Sequence, residues 1–105
     1  MPHGAAAYAD VRAAPRDEVH YRAKGSGPDA RALSLLVVNL SAQGFMARYD
    51  GEMPIGARLR ITLPVVGTVA AQVRWSLGGR IGCELDAAIA QSEYYKLLSV
   101  MVKGR

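Results

Sequence analysis

Two short stretches carry side chains whose types and spacing can do chemistry. In Val11-Arg12-Ala13-Ala14-Pro15-Arg16-Asp17-Glu18, two arginines stand four apart, and Pro15 steers Ala14 away from helical backbone. The arginines then sit on an irregular arm rather than on one helical face. There each guanidinium offers a planar fork of donors to an anion. In Asn39-Leu40-Ser41-Ala42-Gln43-Gly44, an amide is followed by a hydroxyl and then by a glycine suited to close approach or positive φ. Taken singly, the first stretch reads as an ordinary solvated tail, and the second equally as an Asx- or Ser-stabilised turn. Together they fit a guanine nucleotide. An arginine fork can hold guanine O6 and N7, as in major-groove readout. The Asn39 oxygen can accept from N1 and N2, and phosphates take the remaining arginine donors and the Ser41 hydroxyl.

The other reactive groups do not assemble into a catalytic set. His3 and His20 have no accompanying ligands, and Cys83 is the only cysteine, so neither a zinc cluster nor an internal disulfide is expected. A Cys83–His20 nucleophile pair stays open on sequence grounds, but Cys83 between Gly82 and Glu84 reads as a small strand residue. No phosphate-binding loop ending in Gly-Lys-Ser/Thr occurs, nor a dinucleotide fingerprint. The expectation is a binding protein without cofactor or metal, not an enzyme.

The elements that must position these residues are mostly short strands. Val19 to Lys24 alternates weakly, and Gly25 to Asp29 is a turn. Leu33 to Val38 is nearly continuous apolar sequence, Asn39 to Gly44 reads as a six-residue link, and Phe45 to Tyr49 is the next strand. Arg58 to Leu63 alternates with period two. Pro64 to Gly67 turns into Thr68 to Trp75, with Val69, Ala71, Val73 and Trp75 on one side, and Ser76 to Gly79 closes a hairpin to Arg80–Leu85. The spacing suggests a small antiparallel barrel or sandwich. The period then changes. Ser92 can cap a helix in which Tyr94, Leu97, Leu98 and Met101 form one apolar stripe that covers the barrel. Lys96 and Lys103 lie on the other side, and Gly104 is a stop.

One hundred and five residues make one domain, here 11–103 after an alanine-rich mobile tail at 1–10. The start has no basic region followed by an apolar core, and no apolar run approaches the roughly 20 residues of a membrane span, so a cytoplasmic location without membrane insertion is expected. The net charge of +4 is spread as thirteen basic residues interleaved with nine acidic ones, without a basic run. Nucleic acid is therefore not the expected partner, although small basic barrels can stack single-stranded bases on aromatics.

At these residues the sequence resembles a PilZ domain, the bacterial receptor module for cyclic di-GMP. The family's Arg-x-x-x-Arg signature reads Arg12-Ala13-Ala14-Pro15-Arg16, and its Asp/Asn-x-Ser-x-x-Gly signature reads Asn39-Leu40-Ser41-Ala42-Gln43-Gly44. "GARLRITLP" and "VAAQVRWSLGGRIGCEL" are also similar to the family. The resemblance implies a mainly β fold, a six-stranded antiparallel β-barrel with a C-terminal α-helix and an arm over one mouth. It implies cyclic di-GMP as ligand, with Arg12 and Arg16 on guanine and phosphate, Asn39 and Ser41 on base and phosphate, and Gly44 shaping the loop. Trp75 either borders the ligand or is a core or rim aromatic. An unidentified downstream protein is implied as partner, and a ligand-independent adaptor of the same fold is the alternative. Val11 stands where many members carry a further arginine that accompanies a stacked ligand pair, which implies one ligand molecule here. Phe45 stands where many have a second glycine.

Overall fold

The structure, a computed structural model, describes residues 16–103. The tail at 1–10, Val11, Arg12, Pro15 and Gly104 lie outside the described residues. Six strands and one helix follow in order: β1 (Asp17–Ser26), β2 (Ala32–Ser41), β3 (Gly44–Arg48), β4 (Arg58–Leu63), β5 (Gly67–Leu77), β6 (Arg80–Leu85) and α1 (Gln91–Lys103). The strands close into an antiparallel barrel in the order β1-β2-β3-β6-β5-β4, with β4 returning to β1. Alternation decides which side chains fill it. On β4, Leu59, Ile61 and Leu63 are buried, while Arg58, Arg60 and Thr62 face solvent. Leu35, Val37, Ala47, Val73 and Ile81 complete the same interior from neighbouring strands. α1 brings Tyr94, Leu97 and Met101 to this core, each at most 6% exposed, so the apolar stripe covers the barrel. The helix begins at Gln91, and Tyr94 N donates to Ala90 O, so Ser92 lies inside the first turn and is not the cap. No helix among the described residues is long and apolar enough to cross a membrane.

Three one-residue register shifts interrupt the ladders, and they set the outer surface. They fall between Glu18 and Tyr21 on β1, between Val37 and Asn39 on β2, and between Val73 and Trp75 on β5. An extra residue reverses the inward–outward parity of everything after it. On β2 the buried residues are therefore Leu35 and Val37 before the bulge and Leu40 after it. Without the bulge, Asn39 and Ser41 would share the inward parity of Val37; with it they lie on the outer wall. The β5 bulge corrects the sequence expectation for Trp75, which leaves the side shared by Ala71 and Val73 and turns outward.

The six-residue link is also corrected. β2 runs through Ser41, β3 starts at Gly44, and only Ala42 and Gln43 form the turn, with Ser41 paired to Gly44. The hairpin is held from outside: Leu85 N donates to Gln43 O at 2.9 Å and Ile89 N to Ala42 O at 2.8 Å. At the opposite hairpin, Gly78 and Gly79 take φ of 62° and 80°, the left-handed pair that a tight turn between twisted strands requires.

Candidate functional site

Directly opposed residues of an antiparallel pair point to the same face, so the ladders define rows across the outer wall. One row runs Ser41, Gly44, Glu84, Gln72 across β2, β3, β6 and β5; the next runs Asn39, Met46, Gly82, Trp75. The two motif polar residues and the single tryptophan thus come to one patch of wall. A cleft of about 490 Å³ opens there, bordered by Arg16, Ser41, Gly44, Trp75 and Gly82, with Arg74 and Glu84 at its side.

Arg16 immediately precedes β1 and donates from a guanidinium nitrogen to Asn39 Oδ1 at 3.2 Å, joining residues 23 apart in sequence. No carboxylate among the described residues pairs with Arg16, whereas Arg74 Nε lies 3.0 Å from Glu84 Oε1. Among the described residues, Arg16 is therefore the cation of the cleft without a carboxylate partner. Ser41, 5% exposed, is committed to its hairpin: Oγ accepts from Gln43 N at 3.2 Å and donates to Gly44 O at 3.4 Å. Gly44 owes its identity to close approach rather than to positive φ. A Cβ there would lie 2.4 Å from the carbonyl oxygen of Cys83.

Trp75 is 40% exposed, and its indole lies over Gly82, where a Cβ would sit 2.0 Å from Nε1. Gly82 is the seat of the ring, and sequence reading missed it. The signal was present: counting outward from the Gly78-Gly79 turn pairs Leu77 with Arg80, Ser76 with Ile81, and Trp75 with Gly82. Arg74, Glu84 and Gln43 were missed as well, because only strand pairing brings them to the cleft. Phe45, the departure from the family pattern, is 2% exposed and belongs to the barrel core. It fills the interior and leaves the outer wall to Gly44 and Met46.

α1 braces the start of β1 and the end of β2. The Tyr94 hydroxyl donates to Asp17 Oδ2 at 2.6 Å and stands 2.9 Å from the Leu40 carbonyl oxygen. Asp17 adjoins Arg16, and Leu40 lies between Asn39 and Ser41. Burial, and then the hydrogen bond to Asp17, push the Tyr94 hydroxyl well above its usual range. Burial likewise pushes the Cys83 thiol up to about 12, so it is a neutral thiol at physiological pH and a poor nucleophile. His20 is exposed on β1, which is not a neighbour of β6 in the barrel, so the strand order does not bring it beside Cys83. No group of three or more His, Cys, Asp or Glu among the described residues is placed to hold a metal.

No family model and no curated protein matches the chain.

Proposed function

We propose that the chain is a PilZ-type receptor that binds cyclic di-GMP and does not turn it over. The observation that carries this reading is the 3.2 Å Arg16–Asn39 hydrogen bond, which joins the arginine arm to the Asn-x-Ser-x-x-Gly hairpin beside one cleft. The cleft volume falls in the range of small-ligand sites, roughly 300–1,000 Å³. On this reading the Arg16 fork leaves Asn39 and takes a guanine edge or a phosphate. The freed Asn39 oxygen then accepts from guanine N1 and N2. Ser41 redirects its proton from the Gly44 carbonyl to a phosphate while still accepting from Gln43 N. Trp75 borders the base, and Arg12, on the same arm in sequence, supplies the second fork. The dianion draws the arm onto the barrel wall and so makes a new surface for a protein partner. Val11 in place of an arginine supports one bound ligand molecule.

Calorimetric titration with cyclic di-GMP tests the reading, with linear pGpG and cyclic di-AMP as comparators. A saturable heat with a stoichiometry of one is expected for cyclic di-GMP. In Arg16→Ala, affinity should fall about tenfold or more, the scale of a lost charged hydrogen bond of about 1.5 kcal/mol. No heat up to millimolar ligand refutes the receptor reading, and equal affinity in Arg16→Ala removes that residue from the site. A ligand-independent adaptor of the same fold is the second reading. It is favoured by Ser41, whose hydroxyl is already satisfied within the hairpin. It predicts a partner retained when both arginines are mutated. A nucleic-acid binder would instead show salt-sensitive affinity for oligonucleotides with no preference for the cyclic dinucleotide.

A further inference from the structure

The next row of the same wall has a different chemistry. It runs Arg22, Leu36, Arg48, Arg80, Leu77 across β1, β2, β3, β6 and β5. Arg48 and Arg80 are directly opposed, which brings two like charges to Cβ separations of roughly 5 Å at a cost in stability. Three other arginines meet carboxylates: Arg31 meets Asp29, Arg58 meets Asp86 and Arg74 meets Glu84. Arg22, Arg48 and Arg80 are exposed and meet no carboxylate among the described residues. Two exposed apolar side chains flank them: Leu77, 80% exposed, and Trp75 of the adjoining row. An arrangement that costs the fold stability and leaves a leucine in water has no role in the packing of this barrel.

We propose that this row docks an acidic protein segment carrying apolar side chains. Its carboxylates would neutralise Arg48 and Arg80, with Arg22 extending the charged track, and its apolar residues would cover Leu77 and the free edge of Trp75. The charge selects an anionic partner. The neighbouring side chains select protein over single-stranded nucleic acid, because Leu36 and Leu77 are aliphatic and one tryptophan makes no platform for successive bases. The site shares Trp75 with the cleft of the cyclic di-GMP reading, but neither Arg48 nor Arg80 borders that cleft, so the two arginines separate the two readings.

The test uses the full chain and amide NMR titrations with three probes. They are a synthetic peptide of about twelve residues alternating Glu and Leu, a single-stranded oligonucleotide of equal charge, and inorganic pyrophosphate. The peptide should shift the amides of Arg48, Arg80 and Leu77 and the Trp75 indole N–H, more tightly than either other probe. Arg48→Glu with Arg80→Glu should weaken the acidic peptide at least tenfold and create binding of a Lys–Leu peptide at the same residues. Leu77→Ser should weaken the acidic peptide severalfold without altering the fold. Peptide shifts that map elsewhere, affinity within twofold after charge reversal, or equal or tighter binding of the oligonucleotide or pyrophosphate each overturn the proposal.

Discussion

Gly44→Ala tests whether the hairpin geometry is understood. An alanine Cβ at this position would lie 2.4 Å from the carbonyl oxygen of Cys83 on β6. Ordinary carbon–oxygen contact begins near 3.3 Å, so the two strands must part by about 0.9 Å. Cys83 O belongs to the backbone and has no rotamer to escape into. A ladder hydrogen bond of about 2.9 Å stretched by that much is lost. Overpacking costs about 1–3 kcal/mol and a ladder bond about 1 kcal/mol. The smaller unfolded-state entropy of alanine returns about 0.5 kcal/mol. The net expectation is a loss of about 2 kcal/mol, or about 10 °C in Tm for a domain of this size. Urea and thermal unfolding followed by the fluorescence of Trp75, the only tryptophan, read it directly. A variant within 0.5 kcal/mol of wild type would refute the close approach as the reason for glycine.

Other perturbations separate the remaining parts of the account. Gly82→Ala meets the Trp75 ring and not backbone, so the indole should swing into solvent, shifting emission to longer wavelength with a stability loss of about 1 kcal/mol, the low end for overpacking; unchanged emission contradicts the seat. Val65, half exposed at φ 69°, centres a three-residue turn closed by Val66 N donating to Pro64 O at 2.7 Å. Val65→Gly relieves left-handed strain of about 1–2 kcal/mol at a backbone-entropy cost of about 0.5–1 kcal/mol, so Tm should rise by a few degrees, and a fall counts against the strain. Tyr94 and Cys83 both titrate higher folded than unfolded. Their contribution is therefore whole below the unfolded values of 9 for the thiol and 10 for the phenol, and declines as pH rises above them. Unfolding free energy should be level from pH 7 to 8.5 and fall by pH 11. Tyr94→Phe should cost about 1–3 kcal/mol at neutral pH and make the alkaline fall shallower; an identical alkaline limb would exclude Tyr94 as a cause.

The barrel was legible where alternation runs unbroken. The limits of β4 and β6 follow from Arg58-Leu59-Arg60-Ile61-Thr62-Leu63 and from the Gly-Gly turn before Arg80, and the helical stripe follows from Tyr94, Leu97 and Met101. The bulges were not read, because an inserted residue leaves composition unchanged and alters only parity. Their trace on β2 is the step from Leu35 and Val37 to Leu40. Missing that step made Asn39 to Gly44 look like a loop, when it is the end of one strand, a two-residue turn and the start of the next. The same blindness put Trp75 on the side of Val69, Ala71 and Val73. The structure brings most of the expected site residues together, since Arg16, Ser41, Gly44 and Trp75 border one cleft and Asn39 bonds to Arg16. Arg12 lies outside the described residues. The Trp75–Gly82 pairing could be counted out from the Gly78-Gly79 turn; what sequence could not supply was the cross-strand company of Arg74 and Glu84, which exists only once β5, β6 and β3 are in register.

The central claim is that the two motifs form one guanine-nucleotide site on the outer wall. Amide NMR during titration with cyclic di-GMP tests it most directly. The account predicts saturable shifts at Arg16, Asn39, Ser41, Gly44, Gly82 and the Trp75 indole N–H, with β4 residues such as Ile61 and Leu63 unmoved. A spectrum unchanged at millimolar ligand, or shifts confined to another face of the barrel, would contradict it.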